Sequence, residues 1–154
     1  MERELTLLVD AVRKAGAKVR ELVKSGFAVQ TKPDHSPVTT VDLEVNRILH
    51  EMQRREFPLD GWLSEESPDD SARLTRPRVW IVDPIDGTKA LVKGMPEFCI
   101  SASLVERGAP VVAAILNPST DELFTAVRGE GLFLNGSRVT ISADQKADPE
   151  IMVN

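Results

Sequence analysis

The sequence predicts an α+β fold, with two amino-terminal helices packed on a largely antiparallel sheet, and three observations carry that prediction. From Leu5 to Met52 the apolar residues recur at three- and four-residue spacing, the helical period. From Val79 onward they gather in short β-rich runs. The two helical segments come first and the strands follow as a group, the order of an α+β arrangement with a largely antiparallel sheet.

The first helix is read from Leu5, Leu8, Val9, Val12, Ala15, Val19, Leu22 and Val23, with charges between them and Ser25-Gly26 as its stop signal. Gln30 to Pro37 holds two prolines and is expected to be a loop. A second helix is expected to begin at Thr39 or Thr40, either of which could cap it, with Asp42 and Glu44 in the dipole-favoured first turns. Its apolar stripe is Val41, Val45, Ile48, Leu49 and Met52, and Pro58 lies beyond its end.

Trp62-Leu63 could end a strand. Val79 to Val82 is a continuous apolar run, as expected of a strand buried on both faces. Lys89 to Val92 is compatible with a short helix. Phe98 to Val105, Val111 to Leu116 and Leu123 to Val127 read as strands, the first two joined by a hairpin connection at Glu106 to Pro110. Gly131 to Leu134 with Asn135-Gly136 supplies one more strand and a tight turn. Ile151 to Asn154 is strand-like.

The chain has 154 residues, enough for one ordinary domain to fold without a disulfide or structural metal. A formal charge of -5 and only seven aromatic residues (five Phe, two Trp) argue against a nucleic-acid polymer as partner. The single cysteine, Cys99, stands in an apolar run and reads as a small buried hydrophobe. Met1-Glu2-Arg3-Glu4 does not begin a signal peptide, and no apolar run approaches membrane-spanning length. The expectation is a cytoplasmic protein with no membrane partner.

The chemistry concentrates in Asp83-Pro84-Ile85-Asp86-Gly87-Thr88. Two carboxylates three residues apart, braced by proline, can converge as the hard oxygen ligands that Mg²⁺ requires. Gly87 permits close backbone approach. Alone, such a string is a turn at least as often as a metal site, but other acids strengthen the metal reading. Ser64-Glu65-Glu66-Ser67 is a second acidic cluster, otherwise a solvated loop, and Asp42 beside Thr39 and Thr40 is a third candidate, otherwise an ordinary first-turn acid. His35 and His50 lie in unlike settings and are not expected to bind metal together.

Three stretches resemble the inositol monophosphatase superfamily, in order and at plausible separations. They are Lys32 to Asp42, Leu63 to Ser67, and Trp80 to Thr88; Gly129 to Gly136 is also similar. The resemblance implies the amino-terminal domain of a sugar-phosphatase-type layered fold and a Mg²⁺-dependent phosphomonoesterase using two or three ions. It implies that Glu65, Asp83 and the backbone carbonyl of Ile85 hold one Mg²⁺, with Asp83 and Asp86 sharing another. It further implies that Asp42 and Thr88 activate a water, that Gly87 and Thr88 bind phosphate through their N–H groups, and that Glu66 supports the ligands.

The family pattern usually continues Asp-Gly-Thr with Thr-Asn, whereas Lys89-Ala90 stands here. That lysine, with Leu63 to Glu66 and Glu97-Phe98, looks more like the 3'(2'),5'-bisphosphate nucleotidases. The implied substrate is then a small phosphorylated metabolite, adenosine 3',5'-bisphosphate, with Lys89 as a substrate contact; inositol monophosphate is the alternative, and Lys89 is then a solvated surface residue. Lithium inhibition is implied by the resemblance alone.

The superfamily also carries a second domain with a Trp-Asp metal motif, and neither Trp62 nor Trp80 precedes an aspartate. Residues 1–145 are therefore expected to form the metal-binding domain and 146–154 to begin a missing one. The chain by itself is expected to be inactive or nearly so and to self-associate or dimerise through the surface left open; the alternative of another class is a metal- or phosphate-binding fragment without catalysis.

Overall fold

The computed structural model describes residues 1–140. The expectations about 146–154 and the strand-like Ile151 to Asn154 lie outside the described residues. Helix α1 (Glu2–Ser25) carries Glu2 and Glu4 in its first turn and Lys24 in its last, each complementing the helix dipole. Its buried stripe is Leu8, Val12, Ala15 and Val19. Helix α2 (Thr40–Glu56) buries Val41, Val45, Ile48, Leu49 and Met52, as the periodicity predicts. Thr39 is its cap: the Thr39 side chain accepts from the Asp42 N–H and the Asp42 side chain accepts from the Thr39 N–H, a closed capping box.

The stretch read as a loop between the helices is a small hairpin. β1 (Val29–Thr31) pairs antiparallel with β2 (Pro37–Thr39), leaving only residues 32–36 as loop. Pro37 opens its strand, a place where a missing N–H is tolerated.

Seven strands build the main sheet: β3 (Gly61–Ser64), β4 (Arg78–Asp86), β5 (Cys99–Glu106), β6 (Ala109–Asn117), β7 (Glu122–Val127), β8 (Gly131–Leu134) and β9 (Ser137–Val139), side by side in that order. Every neighbouring pair is antiparallel except β3 and β4. Those two are parallel because residues 65–77, with a short 3₁₀ helix at Ser71–Thr75, cross over between them. The β5–β6 connection is tighter than the five residues expected. Arg107 and Gly108 form a two-residue turn with both φ angles positive, 49° and 79°, and Glu106 already pairs with Ala109.

Both helices lie on one face of the sheet, against Trp80, Val82, Ile100, Leu104, Val112, Leu116 and Leu123. The expectation that the run 79–82 is buried on both faces is corrected here. Side chains alternate along β4, so Trp80 (0% exposed) and Val82 (4%) point into the core while Ile81 (39%) points away. Ile115, 41% exposed, lies on that same outer face, paired across from Ser101, and no described element covers it.

Candidate metal centre

The acidic string is the end of β4. Its ladder with β5 is regular as far as Asp83 opposite Ser101, shifts, and resumes with Asp86 opposite Cys99. Three steps on β4 thus oppose two on β5, a bulge at Pro84-Ile85. Pro84 offers no N–H to a ladder. In a regular strand residues three apart point to opposite faces; the extra residue re-aims the chain, and both aspartates line one cleft.

That cleft, about 260 Å³, is lined by Lys32, Glu65, Asp83, Ile85, Asp86, Gly87, Thr88 and Lys89. Asp42 stands behind it, fully buried, at the start of α2. Its Oδ2 accepts from the Thr39 N–H (2.8 Å) and hydroxyl (2.5 Å), and its Oδ1 accepts from the Thr88 hydroxyl at 2.9 Å. Thr88 Oγ1 also lies 3.0 Å from the Ile85 carbonyl; of the two acceptors the carboxylate is the stronger. Residues 46 apart in sequence are thereby joined at one hydroxyl.

A larger cavity, about 690 Å³, is lined by residues that include His50, Trp62, Arg54 and Arg73. Its two acids are already engaged, Asp60 by Trp80 and Arg78 and Asp70 by the 3₁₀ helix it caps. The smaller cleft, by contrast, holds an acid with a buried oxygen that has no partner, Asp83.

Like charge and burial strain that cleft. Asp83 titrates above its ordinary value, through burial first and then the charges of Asp86, Asp42 and Glu66. Glu65 is raised likewise, by burial and then by Asp83. One oxygen of Asp83 is fully shielded from solvent and has no hydrogen-bond partner. A buried carboxylate oxygen left without a donor is costly, and a hard cation would satisfy it.

Lys32 answers part of the charge and was not singled out from the sequence, although it opens the first matched stretch. Its Nζ lies 2.6 Å from Glu66 and 3.9 Å from Glu65. Burial works against the ammonium, but the hydrogen bond and charge of Glu66, then the charges of Glu65 and Asp42, outweigh it and raise its pKa. Glu66 is the enclosed member of the acidic pair, with a side chain 5% exposed against 50% for Glu65. Glu65 therefore faces the cleft, while Glu66 holds Lys32. Among the described residues no three acidic, histidine or cysteine side chains close on one point by themselves. His35 stays in the β1–β2 loop and His50 stacks on Trp62.

Cys99 is half-buried beside this cleft instead of sitting in the core, because its ladder partner is Asp86. Burial, then the charges of Asp86 and Asp83, push its thiol up to about 11.

Gly87 caps the short helix α3 (Thr88–Val92) in the left-handed region, φ 93°. A Cβ there would meet the Glu97 carbonyl at 2.7 Å and Phe98 Cα at 3.1 Å, both backbone. Gly87→Ala is expected to cost about 2–4 kcal/mol, combining left-handed strain with that clash, and to show as a lower urea midpoint. A cost of about 1 kcal/mol, the left-handed strain alone, would mean that the Glu97-Phe98 segment yields freely.

Comparison with known proteins settles the relationship. The sequence profile described as "Inositol monophosphatase family" matches residues 1–154. The chain belongs to the inositol monophosphatase family. The inositol-1-monophosphatase of Rhizobium meliloti (strain 1021) is 38% identical over 141 residues, 90% of this chain and 53% of that protein. The solved Thermotoga maritima IMPase superposes with a TM-score of 0.82 at 31% identity, covering 94% of this chain and 55% of that one. An IMPase/NADP phosphatase solved with Mg²⁺ and phosphate superposes at 0.81 with 27% identity, covering 89% and 52%. The chain thus spans about half the length of the relatives it matches. Inositol monophosphatase relatives are phosphatases, and solved members hold Mg²⁺ or Ca²⁺, so divalent-metal dependence stands at the level of the family. No helix among the described residues is long and apolar enough to cross a membrane.

Proposed function

We propose that this chain is the metal-binding half of a Mg²⁺-dependent phosphomonoesterase, and the Asp42–Thr88 hydrogen bond at the edge of the acidic cleft carries the reading. Glu65, Asp83, Asp86 and the Ile85 carbonyl are the groups that would hold Mg²⁺, and the shielded, partnerless oxygen of Asp83 supports that fit. When bound, the metal supplies a positive field for phosphate oxygens and acidity to a water.

The chain's own residues handle the proton. Asp42 is fixed by Thr39 and takes the Thr88 hydroxyl hydrogen, which leaves a lone pair of Thr88 Oγ1 turned outward. A water attacking phosphorus in line gives its proton to Thr88 Oγ1 as the Thr88 proton passes to Asp42. The N–H groups of Gly87 and Thr88 are assigned to the phosphate oxygens. Glu66 and Lys32 hold the acidic turn and temper its charge.

The substrate in this proposal is a small phosphorylated metabolite, adenosine 3',5'-bisphosphate, with Lys89 as a point charge for the second phosphate; the exposed lysine at the cleft rim supports it. The names of the relatives favour a second reading, inositol monophosphate. The proposal sets the protein in the cytoplasm. It also holds that the chain pairs with itself through the outer sheet face bearing Ile81 and Ile115. Sedimentation velocity should show Ile81→Lys as the smaller species, and a monomeric wild type would overturn this self-pairing.

The chain alone is proposed to be nearly inactive. Phosphate release from either substrate should run at least about 10–100-fold below that of a full-length relative assayed alongside, because metal sites lose that much even from supporting groups. Whatever turnover remains should vanish in Asp83→Asn. Ordinary turnover by the 154-residue chain would sink the inactivity, and turnover surviving in Asp83→Asn would sink the assignment of this cleft.

A further inference from the structure

Glu65 sits on a four-residue turn, and nothing in the turn alone sets how far it stands from the Asp42–Thr88 pair. Helix α2 does. Asp42, Asn46 and His50 are spaced i, i+4, i+8 along one stripe of that helix. Asp42 binds Thr88 at 2.9 Å. Four residues on, Asn46 Nδ2 donates to Ser67 Oγ at 2.9 Å and to the Glu66 carbonyl at 3.4 Å. Another turn on, His50 stacks on Trp62 with centroids 4.6 Å apart and planes 14° from parallel, and Trp62 Nε1 donates to the same Ser67 Oγ at 3.3 Å. The turn closes on itself through the Ser67 N–H to Ser64 O and the Glu66 N–H to Ser64 Oγ, both 3.3 Å.

One straight helix therefore references the proposed base at one point and the metal-ligand turn roughly 6 Å further along its axis. Asn46 Oδ1 is buried without a partner. Asn46 therefore leaves one acceptor orphaned while its Nδ2 holds the turn, a cost that an apolar residue would avoid.

We infer that Asn46 is a positioning residue, which sets the location of Glu65 relative to Asp42 and Thr88 by holding Ser67 and Glu66. The inference rests on the proposed metal site. In isothermal titration of the 154-residue chain with Mg²⁺, Asn46→Ala is expected to weaken binding roughly 10–100-fold, the range for groups that orient ligands. Its unfolding temperature in EDTA should stay close to wild type, which a merely structural role would not allow. Ser67→Ala removes one hydroxyl, should weaken binding in the same direction, and carries the test if Asn46→Ala does not fold. The double variant should be no worse than the poorer single, because both changes cut one strut.

Mg²⁺ affinity within about twofold of wild type in Asn46→Ala and Ser67→Ala, or additive losses in the double variant, would overturn the inference and leave the metal site standing. Wild-type binding that is absent, or that persists in Asp83→Asn, would overturn both.

Discussion

Saturating Mg²⁺ is expected to raise the unfolding temperature of this chain by roughly 5–10 °C, and Asp83→Asn to abolish the rise while stabilising the metal-free protein. A ligand at 100 times its dissociation constant contributes about 2.7 kcal/mol, and a chain of this size gains roughly 2–4 °C per kcal/mol. The second half of the expectation follows from the sign of the Asp83 shift. Its carboxyl titrates above the ordinary value because burial, then the charges of Asp86, Asp42 and Glu66, disfavour the anion. A carboxyl whose folded pKa exceeds its unfolded one binds more protons folded than unfolded between the two values. Metal-free stability therefore declines as pH rises from about 4 through the raised pKa, and is level beyond it.

Asparagine at position 83 has no such decline. Melting curves in EDTA should lie closest together at the acid end, and separate with the variant higher as pH rises to neutral. Coincident curves at every pH would remove the electrostatic account of the cleft. A Mg²⁺ rise that survives in Asp83→Asn would move the metal elsewhere.

Trp80→Ala is expected to cost about 3–5 kcal/mol, a large part of a domain's whole stability. Trp80 is 0% exposed on the core face of β4, its ring 5.1 Å from Phe57, and its Nε1 donates to Asp60 Oδ2 at 2.9 Å. Alanine leaves a void beneath α2 and takes a donor from Asp60, which retains Arg78 at 3.3 Å. Trp80→Phe keeps most of the packing and should cost the hydrogen bond alone, about 1–3 kcal/mol. Urea unfolding followed by circular dichroism separates the two. Equal losses would mean that the hydrogen bond to Asp60 dominates, and a loss under about 1 kcal/mol for alanine would mean that the core closes over the void.

Much of the fold was legible because its determinants are periodic. Leu8, Val12, Ala15 and Val19 mark a helix face wherever the helix is later placed, and Asn135-Gly136 marks a turn by its own torsional preferences. The β1–β2 hairpin was missed because two prolines read as loop, although Pro37 only has to begin a strand. Ile81 was misplaced because a run of apolar residues does not say how many faces are covered. Cys99 was read as core for the same reason, and its pairing with Asp86 sets it beside the acids.

The candidate site divides in the same way. Asp42, Glu65, Asp83 and Asp86 could be picked out as oxygen ligands in three separate stretches, because ligand type is a property of the side chain; the part of the Thr88 hydroxyl is implied by the family resemblance alone. Lys32 beside Glu66 and Asn46 beneath Ser67 could not, since a lone lysine or a helical asparagine carries no local signal and acquires its role from what lies opposite.

The sequence by itself determined the two helices with their buried stripes, the strand runs from Val79 onward and the acids available for a metal, since each depends on spacing along the chain. Only the tertiary structure decided that the Pro84-Ile85 bulge turns Asp83 and Asp86 into one cleft, that Thr88 reaches Asp42, and that no described element covers Ile81 and Ile115 on the outer sheet face. Those depend on distances between residues far apart in sequence, which packing of the helices on the sheet sets and local propensity does not.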